Sequence, residues 1–445
     1  MRGKVAIVGA LLIVSALTVT DIRAKEDNKI ISFPLNTDID KIPAKVVKLG
    51  EVSTLNQGNV LITPDSPEDD VLPAATVDGK GNIAVTWSHI IGGTDSDFGL
   101  AYSTDGGNTW TSNVIEAEGY QYYADIAYFQ GTKYEGPQWD GLWIESLELM
   151  GEGGNFMLIP DITDQATWEL YGWVEGSRPG ATYLCFEDDM WYKEFSFDLT
   201  PGPIVGMIND DQGMNQGIEL WWMAAGDDLG NIVYNWDAES VLDTAPGKNI
   251  DLAPVHDSDP AWTDGDFFYL VSEHINETTG HSEIVYKKCI PSVEDDIEFV
   301  EEQYYLVKGG FDAADPEVDA SGSNVVVVYM SNDNVFGDWD IKCMYSHDYG
   351  ENWEASDVPS TPQVDDVHPA VYISGNNVYV AYISNGNLYL VKSKDGGATW
   401  GEPEKINDVD GSVVAGESYV DICSKGIVWV DNRNGNNDIY FATLP

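Results

Sequence analysis

The chain has 445 residues, 43% of them hydrophobic and 11% aromatic, with 22 Lys and Arg against 75 Asp and Glu and a formal net charge of −53. That much apolar content excludes a disordered acidic chain. A field of that sign excludes nucleic acid and anionic lipid as partners, attracts cations, and suits a surface adapted to high salt or to an acidic cell envelope.

The first element is an apolar run from Val5 to Val19 behind Arg2 and Lys4, which has the order of a signal peptide and is too short for a comfortable membrane span. Cleavage is expected near Ala24. Ile22 is a poor residue three places before that cut, so retention as an N-terminal anchor is the alternative. The expected organisation is a signal peptide over 1–24, a lead over 25–43 and one β domain over 44–445. Such a chain is secreted or held at the cell surface, with no transmembrane segment once the signal is removed.

Self-similarity dominates the rest. Three near-copies of one octapeptide occur: Ser103-Thr-Asp105-Gly-Gly107-Asn-Thr-Trp110, Ser346-His-Asp348-Tyr-Gly350-Glu-Asn-Trp353 and Ser393-Lys-Asp395-Gly-Gly397-Ala-Thr-Trp400. The spacing suits a hairpin in which the Asp carboxylate accepts backbone hydrogen bonds, glycine supplies positive φ, and Trp packs beneath. Period-two runs such as Val378–Tyr382 and Asn387–Lys392 precede the boxes and predict strands. Unit starts recur at Leu72–Thr76, Asp259–Trp262, Asp315–Val318 and His368–Val371, with looser versions at Ala124–Ala127 and Val420–Cys423. An acidic residue followed by isoleucine marks a later strand at Glu283-Ile284, Asp340-Ile341 and Asp438-Ile439.

These features predict an all-β fold, a β-propeller of four-stranded blades with about seven blades, six or eight being the alternatives. The last unit has room for three strands, Val420–Cys423, Gly426–Val430 and Asp438–Thr443. Ala44–Leu49 is therefore expected to supply the fourth and close the ring with an N-terminal strand.

With these octapeptides the chain resembles the Asp-box (BNR) repeat, sialidase-like β-propeller superfamily. The resemblance is specific at the three boxes. It implies that Ser103, Asp105, Gly107, Trp110, Ser346, Asp348, Gly350, Trp353, Ser393, Asp395, Gly397 and Trp400 are structural and lie away from the ligand face. Sialidase chemistry needs three arginines on the substrate carboxylate. Beyond residue 24 the chain holds only Arg178 and Arg433, which argues against a sialidase. No catalytic residue is nominated, because among so many carboxylates some pair at glycosidase spacing arises by chance.

Three functional classes remain. The preferred one is an exported recognition module for a glycan or a cell-envelope protein, without enzymatic activity. The alternatives are a hydrolase of neutral glycans and a structural envelope component. Aromatic rings stack on sugars at small entropic cost, so Trp139, Trp143, Trp221 and Trp222, in a Trp-rich stretch without an octapeptide, are the candidate ligand-binding residues.

No cofactor is expected, and the metal content is open. The six histidines form no zinc motif, whereas calcium could be held by the oxygen-rich loops 65–70, 209–211 and 431–438. Turn formation is the simpler reading of those loops. Cys185, Cys289, Cys343 and Cys423 match no metal or redox spacing. Cys289 with Cys343 is the first disulfide to test, against buried free thiols. Asn276-Glu-Thr278 is a glycosylation sequon.

Overall fold

The computed structural model describes residues 39–41, 45–53, 58–64, 67–92, 95–116, 121–131, 139–148, 153–174, 184–189, 200–211, 215–225, 232–237, 247–255, 267–276, 278–291, 297–299 and 304–445. These residues are almost entirely β and form seven antiparallel sheets. The signal segment and Arg178 lie outside them. Among the described residues no helix is long and apolar enough to cross a membrane.

In chain order, sheet one holds Asp69–Val77, Ile83–Gly92, Asp95–Ser103 and Thr109–Glu116, with Lys45–Ser53 added outside. Sheet two holds Gln121–Gly131, Trp139–Glu148, Gly153–Ile159 and Glu169–Val174, with Ile39–Lys41 outside. Sheet three holds Leu184–Asp189, Thr200–Asp211, Asn215–Ala225 and Ile232–Asp237. Sheet four holds Gly247–Val255, Phe267–Ile275 and Ser282–Pro291, the last paired with both Ile297–Phe299 and Tyr304–Val307. Sheet five holds Ala313–Ser321, Asn324–Ser331, Asp340–Ser346 and Glu354–Asp357. Sheet six holds Asp366–Ser374, Asn377–Ser384, Asn387–Ser393 and Glu404–Lys405. Sheet seven holds Val420–Cys423, Gly426–Asp431 and Asp438–Thr443, with Val60–Leu61 as its fourth strand.

The N-terminal pairing differs from expectation in one respect. Ala44 lies outside the described residues, and Lys45–Leu49 belong to the strand that pairs with Thr109–Glu116 in sheet one. The partner of the C-terminal strand is Val60–Leu61, which sits opposite Phe441 and Tyr440. Ile62, fully buried, extends the pairing by donating its N–H to the Ile439 carbonyl at 2.9 Å. Those buried apolar side chains, rather than the exposed Lys45 and Lys48, match the apolar wall of sheet seven. The expected unit start at Asp259–Trp262 lies outside the described residues, and Gly247–Val255 is the first strand of sheet four.

Why the sequence builds stacked sheets is plainest in Asn324–Ser331, which is buried throughout. Alternate residues of a strand point to opposite faces. Accordingly Val325, Val327 and Tyr329 pack with Tyr269, Val271 and Tyr286 of sheet four, and Val326, Val328 and Met330 pack with Val378, Val380 and Tyr382 of sheet six. A strand with a sheet on each side therefore reads as a continuous apolar run. Gly426–Asp431 repeats the pattern between sheets six and one.

The first strand of each sheet lies against the first strand of the next, from one through seven and back to one. Carboxylates fasten several of these seams. Asp421 accepts the Ala75 N–H at 2.6 Å, Asp319 accepts that of Ile373 at 2.7 Å, and Asp251 accepts that of Val318 at 2.7 Å.

The three octapeptides form hairpins between third and fourth strands. In the first, Ser103 Oγ donates to Asp105 Oδ1 and accepts the Gly107 N–H, and Asp105 also accepts the N–H and hydroxyl of Thr109. Ser346 with Asp348, and Ser393 with Asp395, repeat this. In Asp348 and Asp395 the side-chain bonds from Asn352 and Thr399 lead in holding the carboxyl below its ordinary range; in Asp105 burial pulls the other way, and the bonds from Thr109, Ser103 and Asn108 together outweigh it. Each hairpin tryptophan reaches the preceding sheet. Trp110 meets Phe441, Trp353 meets Tyr286, and Trp400 Nε1 donates to Ser356 Oγ.

Cys343 and Cys423 are buried free thiols, which removes Cys343 from the expected disulfide. Cys343 packs in the apolar cluster between sheets five and six, and burial pushes its thiol up to about 12.

Candidate functional face

The octapeptide hairpins sit beside the turns that join first and second strands: Tyr349 N–H donates to the Ser323 carbonyl and Gly396 N–H to that of Asn376. The opposite end of the sheets gathers the hairpins between second and third strands and the starts of the first strands. There Asp366 N–H donates to the Trp339 carbonyl and Asp70 N–H to that of Asn437, joining sheet five to six and sheet seven to one.

This end carries the charged chemistry. His368 Nδ1 lies 2.7 Å from Asp315 Oδ2, linking sheets six and five, and the Asp315 N–H donates to Glu273 of sheet four. His281 Nδ1 lies 2.9 Å from Asp312, and His89 Nδ1 lies 2.6 Å from the fully buried Asp70. Burial opposes charge on His89, but the Asp70 contact prevails and raises its pKa. Asp315 and His368 have φ of 51° and 53°, each just before a proline and at a bulge in the first strand. Non-glycine residues held there cost about 1–3 kcal/mol each and concentrate at functional positions.

Just inside this rim stands Glu317, half-buried on the first strand of sheet five. Burial, then the fields of Asp251, Asp315, Asp421 and Asp125, push its carboxyl well above the ordinary range. Burial likewise pushes Asp319 to about 7 and Asp421 to about 6. Asp125, Asp251, Asp319 and Asp421 sit on the first strands of four different sheets.

The large exposed apolar side chains among the described residues share this end. Ile91, Ile275, Val335 and Phe336 lie at hairpins between second and third strands, and Val409 lies in the loop that bonds to the Asn387 hairpin through Asn407.

Arg433 lies here too, but it is committed. Its guanidinium bonds both oxygens of the fully buried Asp431, pairs with Asp408 and covers the Tyr440 ring with its carbon at 4.0 Å. Asp431 and Asp438, in a loop that could have held calcium but reads more simply as a turn, are engaged by Arg433, Ser412, Asn434 and Asn436. In the loop 65–70, Asp70 is taken by His89 and the Trp87 indole N–H. Among the described residues no group of three or more His, Cys, Asp or Glu is arranged as a metal centre.

The tryptophans named from sequence fall in two sheets. Trp139 and Trp143 are on the second strand of sheet two, Trp139 at its start opposite Gly131, whereas Trp221 and Trp222 are adjacent on a strand of sheet three. Their side chains lie outside the described residues. The sequon residue Asn276 donates its side-chain amide to Glu283 at 3.0 Å.

Sequence reading missed the His368–Asp315 and His89–Asp70 pairs. For the first pair the only signal was the acid or histidine just before Pro316 and Pro369, read as punctuation; the second gave none.

No family model matches the chain, and no curated protein matches it by sequence. Among solved structures, a protein of unknown function from Dyadobacter fermentans matches at 11% identity and a TM-score of 0.48, covering 89% of this chain and 98% of that one. A GH93 α-L-arabinofuranosidase of Fusarium graminearum matches at 11% identity and 0.43, over 87% and 97%. A Trypanosoma rangeli sialidase matches at 12% identity and 0.39, over 89% of this chain and 59% of that one.

Proposed function

We propose that the chain is an exported, seven-bladed Asp-box β-propeller closed by Val60–Leu61. Its face opposite the Asp-box hairpins recognises a neutral, hydroxyl-rich glycan of the cell envelope or a protein bearing one. The observation that carries this reading is the composition of that face: exposed apolar side chains around a rim of carboxylates and histidines, with its one described arginine spent on Asp431 and Asp408. Carboxylates accept hydrogen bonds from sugar hydroxyls, and their field repels anionic sugars. Trp139, Trp143, Trp221 and Trp222 remain the proposed stacking positions.

A second reading has its own support. Glycosidases use a carboxyl whose proton is held more tightly than usual, and burial with the fields of Asp251, Asp315 and Asp421 pushes Glu317 in that direction. The deciding experiment is a glycan array and envelope-extract binding screen on the full chain, assayed in the same wells for released sugar. Retention without release supports recognition. Release that disappears in Glu317→Gln replaces it with hydrolysis, and absence of both rejects glycan as the ligand.

A further inference from the structure

The outermost strand of a sheet can add a strand from another chain, and a long edge without charges is the most open to it. The fourth strands of sheets five and six are guarded: Glu354–Asp357 has four residues, Glu and Asp among them, and Glu404–Lys405 has two, both charged. Sheet one is the opposite case. Thr109–Glu116 runs for eight residues, the longest fourth strand among the described residues, and reads Thr-Trp-Thr-Ser-Asn-Val-Ile-Glu. Its one charge lies at the end. In a chain with 75 acidic residues, the stretch Thr109–Ile115 sets no charge of its own against a second copy.

Lys45–Ser53 covers this edge, paired antiparallel from Lys45 opposite Glu116 to Ser53 opposite Thr109. The cover is lightly held. None of Lys45–Gly50 is buried, whereas Trp110 and Ser112–Ile115 of the strand it covers are. Its ion pair, Lys45 Nζ to Glu116 at 2.6 Å, is exposed on both sides and so contributes little. A register shift between Lys48 and Gly50 interrupts the ladder. The apolar holds are Val46, against the cluster between sheets one and two, and Leu49, against the cluster between sheets seven and one. A strand with so little buried opens more readily than the core strands of the same sheet.

We infer that the outer edge of Thr109–Glu116 is a self-association surface, shut in cis by Lys45–Ser53, and that a second copy of the chain adds there, antiparallel and about a two-fold axis, once the covering strand detaches. Two-fold pairing presents the same strand from each copy, so one uncharged edge serves both partners. Lys45 and Lys48 against Glu51 give the cover a positive charge within an acidic chain. Electrostatics therefore favours the shut state, and salt weakens it.

The test uses the full chain at physiological ionic strength, where repulsion between acidic copies is short-ranged. Val46→Asp combined with Leu49→Asp removes the two apolar holds of the cover; sedimentation velocity across a concentration series reads association, and circular dichroism follows the melt. Wild type should sediment as a monomer. The double variant should keep a cooperative melt and shift with concentration to the sedimentation of a dimer. An excess of a peptide with the native sequence of residues 45–53 should return it to monomer. Thr111→Lys, which puts a charge on the edge opposite Glu51, should do the same when added to the double variant. Should the double variant lose its cooperative melt, Lys45→Glu with Lys48→Glu, both exposed, weakens the cover through charge alone and decides. The inference falls if wild type and variant associate alike, if a cooperatively melting variant stays monomeric, or if its association survives either the peptide or Thr111→Lys.

Discussion

Replacing Gly107 by alanine tests whether the octapeptide hairpins wedge each sheet against its predecessor. Gly107 has φ of +89°, and a Cβ there would sit 2.4 Å from Cε1 of Phe441, a fully buried ring of sheet seven. The left-handed backbone costs an alanine about 1–2 kcal/mol. Overpacking a ring that cannot retreat costs about 1–3 kcal/mol more. Gly106 provides the control, because its φ is +73° but nothing lies within 4 Å of its Cβ position. Gly106→Ala should therefore lose about 1–2 kcal/mol and Gly107→Ala about 2–5 kcal/mol. Gly397→Ala, facing Cys343 Sγ at 3.2 Å, should fall between them. Because unfolding entropy scales with chain length, each kilocalorie moves the midpoint of a domain this large by about 1 °C. Circular dichroism and tryptophan fluorescence should follow one transition for the comparison to hold. Equal losses in Gly106→Ala and Gly107→Ala would refute the wedge.

Asp319, pushed to about 7 by burial, binds its proton more tightly when folded than in an unfolded chain. Its stabilising contribution is complete below about pH 4 and is lost as pH rises through about 7. Asp319→Asn should therefore flatten that decline while lowering stability at every pH, because one of the Ala320 and Ile373 N–H donors loses its acceptor; an unchanged slope in a pH series of urea melts rejects the assignment. Arg433→Ala should destabilise by about 3–5 kcal/mol by stranding the buried Asp431, with Arg433→Lys recovering only part; chemical denaturation measures both. Starting the chain at Gln57 should preserve a cooperative melt, whereas starting it at Asp65 should abolish it; the same melt for both would show that Val60–Leu61 does not hold sheet seven.

Features carried by local bonds were legible in the sequence. Ser103, Asp105 and Thr109 interact across four residues or fewer in a spacing that few other structures require, and the three final strands follow from alternation and a turn. Val60–Leu61 was not legible because two residues carry no period, and Lys45–Leu49 alternates well enough to be taken for them. His368 and Asp315 are 53 residues apart in sequence, and their meeting depends on two bulges and the seam between sheets.

The imbalance of 75 acidic against 22 basic residues makes ion pairing a minority solution, and the carboxylates divide by how their charge is met. Those of the octapeptides and first strands accept backbone N–H groups, so they act as fasteners within hairpins and between sheets. Asp70, Asp312, Asp315 and Asp431 take scarce cationic or imidazole partners, which places three of the six histidines and Arg433 on one end of the sheets. An arginine spent in this way cannot also hold a ligand carboxylate. Glu317, half-buried on the first strand of sheet five, stands among other carboxylates. Burial, then the fields of Asp251, Asp315, Asp421 and Asp125, push its carboxyl well above the ordinary range, so its charge is opposed rather than met.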